Sequence, residues 1–417
     1  MESTRKIIIA ISGGGLAGAA AARALLRQPH LEVHIYESAP EFSERGQSIG
    51  LAINAQRALK SLVPDSGNLL SRAGAVPMNS TRIMIGSGPH AGTKVIDLAE
   101  ENPGYMMHRA ALLHELLEPI PRENMHANKK LVAIEQQPHG LTLKFEDGTS
   151  ESADALIGAD GIFGFVRSYV LGDNHPALKP VAAGWAGAMN MVPFAKARDT
   201  LGPESFKINR QYGWVGENGL MIHDLINNGE MVQCIGTSVD RNPSDDRRKS
   251  INREYLETVF AKWLDGPVAK GMIDLLIDQE HPAVYEQWEH QNAPTYVNGQ
   301  VCIIGDAAHA MTPWQGSGAA AALEDAVVLG ALFAHINSPD DVERVLNVYD
   351  AVRRPRTQRI AESSRLTGRI LSGIDETVGL DPTIMHEALK NRWTFIHGFN
   401  LDAHIETAVQ NLKNDAK

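Results

Sequence analysis

The feature that most constrains this chain is a glycine-rich turn between an apolar run and an alanine-rich run near its start. Residues 6–12 are mostly apolar, which predicts a strand buried on both faces of a parallel sheet. Residues 16–26 predict a helix, and a second apolar run at residues 31–36 is followed by Glu37, whose carboxylate can accept hydrogen bonds from an adenosine ribose. This order within about 30 residues is typical of a βαβ unit that binds a dinucleotide.

The glycines of this turn occupy the positions that a pyrophosphate-binding loop requires. Gly13 permits the tight turn, Gly15 lets the backbone approach a pyrophosphate, and Gly18 allows the helix to pack closely on the strand. Leu16 and Ala17 begin the helix, where free N–H groups and the helix dipole favour a phosphate. A glycine turn without a ligand is the alternative reading of the loop. NAD and FAD share the same ribose and pyrophosphate, so the loop alone leaves the dinucleotide open.

Length, charge and cysteine content narrow the class of protein. A chain of 417 residues is expected to form two domains, because single cores rarely exceed about 250 to 300 residues. The net charge of −11 argues against a nucleic-acid surface and favours small-molecule partners. Cys234 and Cys302 have neither metal-ligand spacing nor a disulfide framework, which predicts a reducing compartment and no metal site. No apolar run reaches the roughly 20 residues of a membrane span, and no signal peptide fits before the first strand, so we expect a cytoplasmic protein.

The periodicity of the remaining chain predicts an α/β domain interrupted by a second domain. Further strands are expected in the first half at residues 131–135, 141–145 and 155–159, with a helix at residues 107–117 that carries Arg109 near its start. An amphipathic helix is expected in the middle third with Ile251, Tyr255, Val259 and Trp263 on one face. We predict that residues 1–175 and 295–417 build one domain, ending in C-terminal helices, around an inserted α+β domain of residues 176–294.

Two later motifs decide between the dinucleotides. The first is ADALIGADGIFGFVR, residues 153–167, and the second is VCIIGDAAHAMTPWQGSGAAAALEDAVVLGALF, residues 301–333. Together with the glycine loop they resemble the three fingerprints of the class A flavoprotein monooxygenases, which include salicylate hydroxylase-like and para-hydroxybenzoate hydroxylase-like enzymes. The resemblance implies tightly but non-covalently bound FAD in a Rossmann-like domain of the glutathione-reductase type with a three-layer arrangement. It also implies that NADH or NADPH binds only transiently as a co-substrate.

The same resemblance assigns cofactor contacts. Residues at the matching family positions contact FAD or lie close to it, and here they are Glu37, Gly50, Arg109, Asp160, Gly161, Asp306 and Ala319. The residues alone agree with this assignment, because Asp306 follows a buried strand and Gly316 and Gly318 open a helix whose N-terminal amides can stabilise negative charge on a reduced flavin. Pro313 corresponds to the family proline beside the reactive edge of the flavin. Arg167 and His309 are expected to be structural.

The reaction that the resemblance implies is a hydroxylation. Reduced FAD and dioxygen give a C4a-hydroperoxide, which hydroxylates, epoxidises or dearomatises an electron-rich aromatic, polyketide-like or alkaloid-like molecule. A base near a phenolic ring would assist this attack, and a dry pocket would protect the peroxide. Two alternatives stay open: an FAD-dependent reductase or dehydrogenase, and a non-catalytic flavin-binding redox sensor. The enzyme is expected to be a monomer or a homodimer.

Residues on the substrate side are less well defined by the sequence. His223 is a candidate base, with a histidine satisfied inside a sheet as the equal alternative. Tyr212 and Trp214 are candidates for the pocket lining, and Arg45 could meet the substrate, the flavin or only water. Asn190 stands where related sequences often carry an arginine, so a benzoate-type carboxylate is a less favoured substrate group.

Overall fold

The fold is a mixed α/β arrangement that contains two large sheets. The computed structural model describes residues 5–43, 48–99, 101–243 and 247–414. The strands are β1 (Ile7–Ser12), β2 (Leu31–Tyr36), β3 (Ser48–Leu51), β4 (Val76–Met78), β5 (Thr81–Ile85), β6 (Lys94–Leu98), β7 (Gly104–His108), β8 (Met125–His126), β9 (Leu131–Gln137), β10 (Gly140–Phe145), β11 (Ser150–Ala153), β12 (Ala155–Gly158), β13 (Val181–Pro193), β14 (Gln211–Gly216), β15 (Gly219–Ile226), β16 (Met231–Val239), β17 (Arg248–Ser250), β18 (Ala283–Glu289), β19 (Val297–Asn298) and β20 (Val301–Ile303). The α-helices are α1 (Leu16–Leu25), α2 (Ile53–Leu62), α3 (Ser66–Arg72), α4 (Arg109–Leu117), α5 (Val166–Leu171), α6 (Phe194–Leu201), α7 (Arg253–Val259), α8 (Ala269–Ile277), α9 (Asp306–His309), α10 (Gly318–Phe333), α11 (Val342–Leu371), α12 (Pro382–Leu389), α13 (Thr394–His397) and α14 (Leu401–Asn414).

The first large sheet has six strands in the order β19-β20-β12-β1-β2-β8. Its central strands pair in parallel, and Ile9 and Ile11 of β1 are fully buried, as the apolar run predicts. Helices α1 and α10 pack together closely enough that a Cβ on Gly330 would lie 2.7 Å from the Ala24 Cβ. Because the parallel strands all end at one edge, the segments that follow β1, β2, β12 and β20 meet there.

The second large sheet has eight strands in the order β17-β18-β13-β16-β15-β14-β5-β6. Its pairs are antiparallel except for β5 with β14. Helices α7 and α8 cover one face and form an apolar core with it. The strands β5 and β6 come from the first segment of the chain, between residues 81 and 98, and so join a sheet built otherwise from the middle third.

Most of the predicted elements are present, and two differ for local reasons. Residues 104–108 form strand β7 beside β3, so the helix predicted from residue 107 begins at Arg109. The helix predicted to carry residues 251–263 is only α7, because the Asn252 side chain caps it by accepting from the Tyr255 N–H and the backbone leaves helical geometry at Phe260. Among the described residues, no helix is long and apolar enough to cross a membrane.

Candidate active site

A cavity of about 850 Å³ lies at the carboxyl edge of the six-stranded sheet. The structure brings together here nearly all of the residues that the sequence assigns to the cofactor. Those that line the cavity are Gly13, Gly15, Leu16, Ala17, Glu37, Gly50, Arg109, Asp160, Gly161, Asp306, Pro313, Gly316, Gly318 and Ala319. They come from segments far apart in the chain and meet because their strands end at one edge.

The glycine loop lies tightly between β1 and the segment after β12. Gly13 has a φ of 107°, and a Cβ at this position would lie 2.3 Å from the Ala159 carbonyl oxygen. A Cβ on Gly18 would lie 2.0 Å from the Gly13 carbonyl oxygen, so Gly18 serves packing and does not line the cavity. Because the loop carries no side chains at its glycines, the backbone amide groups at the N-terminus of α1 are accessible from the cavity and can bind a pyrophosphate.

Glu37 is held in place by the backbone around it. Its Oε2 accepts a hydrogen bond of 2.7 Å from the Gly14 N–H, and its Oε1 accepts one of 2.7 Å from the Ala39 N–H. A carboxylate has about four acceptor sites, so capacity for ribose hydroxyls is left over. Lys129 and Lys130 line the same cavity and were not singled out in the sequence, where two adjacent lysines in a loop look like ordinary surface.

Asp160 has an acceptor that the described residues leave unused. Its Oδ2 accepts from the Val166 N–H at 2.9 Å, while its buried Oδ1 has no hydrogen-bond partner among the described residues. Burial raises the pKa of Asp160 to about 6. An unused carboxylate oxygen, a bare glycine loop and the N-terminus of α10 at Gly318 together fit an elongated ligand with hydroxyl and phosphate groups.

A second cavity of about 420 Å³ lies next to the first. Ser48, Gly50, Pro313 and Gly316 line both cavities and so mark their junction. One wall is the face of the eight-stranded sheet that α7 and α8 leave free, and its residues include Met189, Gln211, Gly213, Leu220, Ile222, Gln233, Ile235 and Thr237. This mostly apolar cavity can hold a small organic molecule close to a ligand in the first cavity.

His223 and Tyr212 do not lie in either cavity, contrary to the hypothesis drawn from the sequence. Side chains alternate along a strand, and Leu220 and Ile222 of β15 face the second cavity, so His223 faces the α7/α8 core. There His223 stacks on Tyr212 and its Nε2 accepts a hydrogen bond of 3.3 Å from the Trp214 indole. Burial lowers the pKa of His223 to about 3, and the neutral ring is satisfied within the sheet.

Asn190 also faces away from the substrate space. Its Nδ2 donates to the carbonyl oxygens of Leu275, at 2.8 Å, and Asp278, at 3.0 Å, at the end of α8. The amide therefore caps that helix and does not take the place of a substrate-binding arginine. Arg45 lies outside the described residues.

Two groups expected to be structural are buried behind the first cavity. Arg167 donates to the carbonyl oxygens of Ala177, Ala307 and Ala308, and burial lowers its pKa to about 10. The His309 Nε2 lies 2.6 Å from Asp325 Oδ2, which ties α9 to α10. Both groups therefore hold α9 in place, and its first residue, Asp306, lines the first cavity.

Sequence reasoning missed a polar row beside the second cavity. Gln211 and Gln233 line the cavity, and Asp224 lies between them, 2% exposed. Burial raises the pKa of Asp224 to about 7. The strand alternation that places His223 on one face of the sheet places Asp224 on the other. Once Leu220 and Ile222 are known to line the cavity, the same alternation predicts that Asp224 lies beside it.

Comparison with known proteins identifies the family of this chain and its cofactor. Residues 6–364 match a protein family described as FAD binding domain. The chain is also 34% identical to the 6-methylsalicylate 1-monooxygenase of Aspergillus terreus, over 98% of this chain and 93% of that protein. The chain belongs to the class A FAD-dependent monooxygenases. Membership in this monooxygenase family makes FAD the cofactor and NADH or NADPH the co-substrate.

Two further relatives resemble this monooxygenase along nearly its whole length. A salicylate hydroxylase of Pseudomonas putida is 30% identical over 96% of this chain and 93% of that protein. A solved salicylate hydroxylase substrate complex matches with a TM-score of 0.85 and 26% identity, covering 98% of this chain and 99% of the other. The monooxygenase thus resembles salicylate hydroxylases in both sequence and fold.

Proposed function

We propose that this monooxygenase hydroxylates a phenolic ring held in the second cavity, with its reacting carbon directed towards Pro313 and Gly316. The observation that carries the proposal is that these two residues line both cavities. The balanced reaction converts a ring C–H group, dioxygen, NAD(P)H and a proton into a ring C–OH group, NAD(P)⁺ and water. FAD, when bound and reduced, supplies the activation of dioxygen.

The side chains and backbone of this chain would hold and screen the reactants. The glycine loop and the N-terminus of α1 would bind the pyrophosphate, Glu37 the adenosine ribose, and Asp160 and Asp306 hydroxyl groups further along FAD. The N-terminus of α10 would face the flavin ring, where its dipole favours negative charge. The apolar wall formed by Leu220, Ile222 and Ile235 would exclude water from the reacting ring.

The substrate class follows from the relatives and the cavity wall together. The names of the relatives, 6-methylsalicylate 1-monooxygenase and salicylate hydroxylase, share a hydroxylated benzene ring bearing a carboxylate. No lysine or arginine is found among the described residues that line the second cavity. We therefore propose that the ring hydroxyl, and not a carboxylate, is the polar group this wall recognises.

The remaining parts of the proposal concern organisation and location. Residues 1–175 and 295–417 would form a Rossmann-like FAD-binding domain of the glutathione-reductase type, with residues 176–294 as an inserted substrate domain. The mostly parallel six-stranded sheet and the eight-stranded sheet support this division, except that β5 and β6, within residues 81–98, belong to the eight-stranded sheet. On sequence grounds the enzyme would act in the cytoplasm as a monomer or a homodimer.

The test is a sequence of three measurements on the purified protein. We expect visible flavin absorbance equal to about one FAD per chain, NAD(P)H oxidation stimulated by phenols, and one labelled oxygen atom in the product when ¹⁸O₂ is supplied. Normal turnover under nitrogen with no label in the product would mean a reductase or dehydrogenase instead. Bound FAD with no response to any phenol would point to a redox sensor.

A further inference from the structure

The polar row beside the second cavity crosses three neighbouring strands on one face of the sheet. The strand register pairs Asp224 of β15 with Gln233 of β16, and Tyr212 with His223, which places Gln211 of β14 opposite Asp224 on its other side. Gln211 Nε2 donates to Asp224 Oδ2 at 2.7 Å, and Gln233 Nε2 donates to Asp224 Oδ1 at 3.4 Å. The buried carboxylate thus accepts from both amides.

Ser48 fixes the orientation of the Gln233 amide at one end of the row. The backbone N–H of Ser48 donates to Gln233 Oε1 at 3.3 Å, and the Ser48 hydroxyl donates to the same oxygen. A backbone N–H can only donate, so Gln233 must present its oxygen to Ser48 and its NH₂ group to Asp224. On the other side, Gln211 presents its oxygen to the Thr81 hydroxyl at 3.4 Å.

Two more glutamines in the cavity lining, Gln315 and Gln287, have amide oxygens that can accept hydrogen bonds. Gln315 Nε2 donates to the Arg392 carbonyl oxygen at 3.0 Å, and the buried Gln315 Oε1 has no hydrogen-bond partner among the described residues. Gln287 Oε1, also in the cavity lining, is buried and likewise lacks one there. The wall therefore offers amide oxygens, which accept hydrogen bonds from hydroxyl groups and repel carboxylates.

We propose that Asp224 is a positioning residue that sets the hydrogen-bonding polarity of the substrate cavity: it holds the NH₂ group of Gln211, so that the Gln211 oxygen keeps one acceptor site beside Thr81 and selects ring hydroxyls over carboxylates. This inference rests on the proposed function and adds a specificity determinant to it. An asparagine at position 224 has one acceptor and one donor group, so it can no longer accept from both amides. Gln233 is held by Ser48, and Gln211 would therefore rotate and turn its NH₂ group outwards.

The experiment compares the binding of two matched rings to the FAD-loaded enzyme, followed by the change in flavin absorbance. It is run at a pH well above 7, where Asp224, whose pKa burial raises to about 7, is ionised. Resorcinol carries a second hydroxyl where 3-hydroxybenzoate carries a carboxylate. We expect wild type to prefer resorcinol, and Asp224→Asn to bind resorcinol more weakly and 3-hydroxybenzoate more tightly. The ratio of the two dissociation constants should shift about tenfold, the factor that corresponds to one hydrogen bond.

Asp97→Asn is the matched control, because it makes the same chemical change in the same sheet, where Asp97 holds Arg82 and Arg210 outside the cavity lining. The ratio of the two dissociation constants in Asp97→Asn should equal that of wild type.

If Asp224→Asn loses its FAD, Gln211→Met is used in its place, and in that variant only resorcinol binding should weaken. Equal changes in both dissociation constants in the variant used, or the same shift in Asp97→Asn, would overturn the role of Asp224. No response of wild type to either ring would overturn the phenolic substrate as well.

Discussion

At the scale of the residue, single atoms decide whether the first cavity, the proposed FAD site, can form. Gly13 combines a positive φ with a close approach to the Ala159 carbonyl oxygen, so any larger residue there meets both backbone strain and a steric clash. Asp160 and Asp224 are buried carboxyl groups with raised pKa values. The sequence marked the glycine and Asp160 through their motifs, whereas Asp224 stands in no motif.

Gly13→Ala should remove most of the bound FAD, since the added methyl group would push the loop away from the segment that follows β12. The positive φ alone should cost about 1–3 kcal/mol. Gly148→Ala is the control: Gly148 also has a positive φ, of 83°, but a Cβ there meets no atom within 4 Å. FAD absorbance per chain measures the result, and equal FAD loss in both variants would show that strain alone, without the clash, disrupts the site.

Asp224→Asn should change how the free energy of unfolding depends on pH. The pKa of Asp224 is about 7 in the folded protein against 3.8 for an ordinary aspartate, so the folded state binds more protons between these values. Stability is then lost as the pH rises from about 4 to about 7, and Asp224→Asn should lack this part of the loss. Urea unfolding of both proteins across this range gives the difference. A difference that is constant with pH would contradict the raised pKa.

At the scale of the element, the alternation along β15 separates the substrate wall from the core. Leu220 and Ile222 face the second cavity, while Met221 and His223 face the α7/α8 side. The sequence predicted a strand here but could not say which face was inward, because both faces of this strand are apolar. The choice depends on which elements cover each face of the sheet.

Ile222→Trp should block substrate binding without affecting FAD. Filling the second cavity should weaken phenol binding about 10- to 100-fold, as expected from overpacking by roughly 1–3 kcal/mol. The neighbouring variant His223→Gln changes the opposite face and should hydroxylate at the wild-type rate, since its amide oxygen can still accept from Trp214. The readout is phenol-stimulated NAD(P)H oxidation at equal FAD content. Loss of hydroxylation in His223→Gln would return His223 to the list of candidate bases.

At the scale of the whole molecule, buried ion pairs hold α11 against α10. Arg353 of α11 is fully buried and pairs with Glu324 at 2.9 Å and with Asp325 at 2.8 Å, both in α10. Burial raises the pKa of Asp325, but His309 and Arg353 outweigh that effect and hold it below its ordinary value. This network supports α10, whose N-terminus lines the first cavity.

Arg353→Leu should destabilise the protein by about 3–5 kcal/mol, because two buried carboxylates lose a cation. Arg354→Leu, one residue further along α11, removes a partly exposed pair with Asp350 and should cost less than about 1 kcal/mol. Urea denaturation of the two variants gives the comparison, with bound FAD measured alongside. Similar losses of stability in both would mean that the buried network contributes no more than a surface pair.

The sequence by itself determined most of the residues that line the first cavity, the proposed FAD site, because they lie in contiguous motifs at the ends of strands that can each be recognised from an apolar run. Parallel strands bring such ends to one edge whatever the rest of the chain does. The substrate side was decided only by the tertiary structure. Strand register and the cover on each face turned His223 inward to the core and aligned Gln211, Asp224 and Gln233 in one row. A shift of one residue in register reverses every side chain, and no local pattern in this chain fixes that choice.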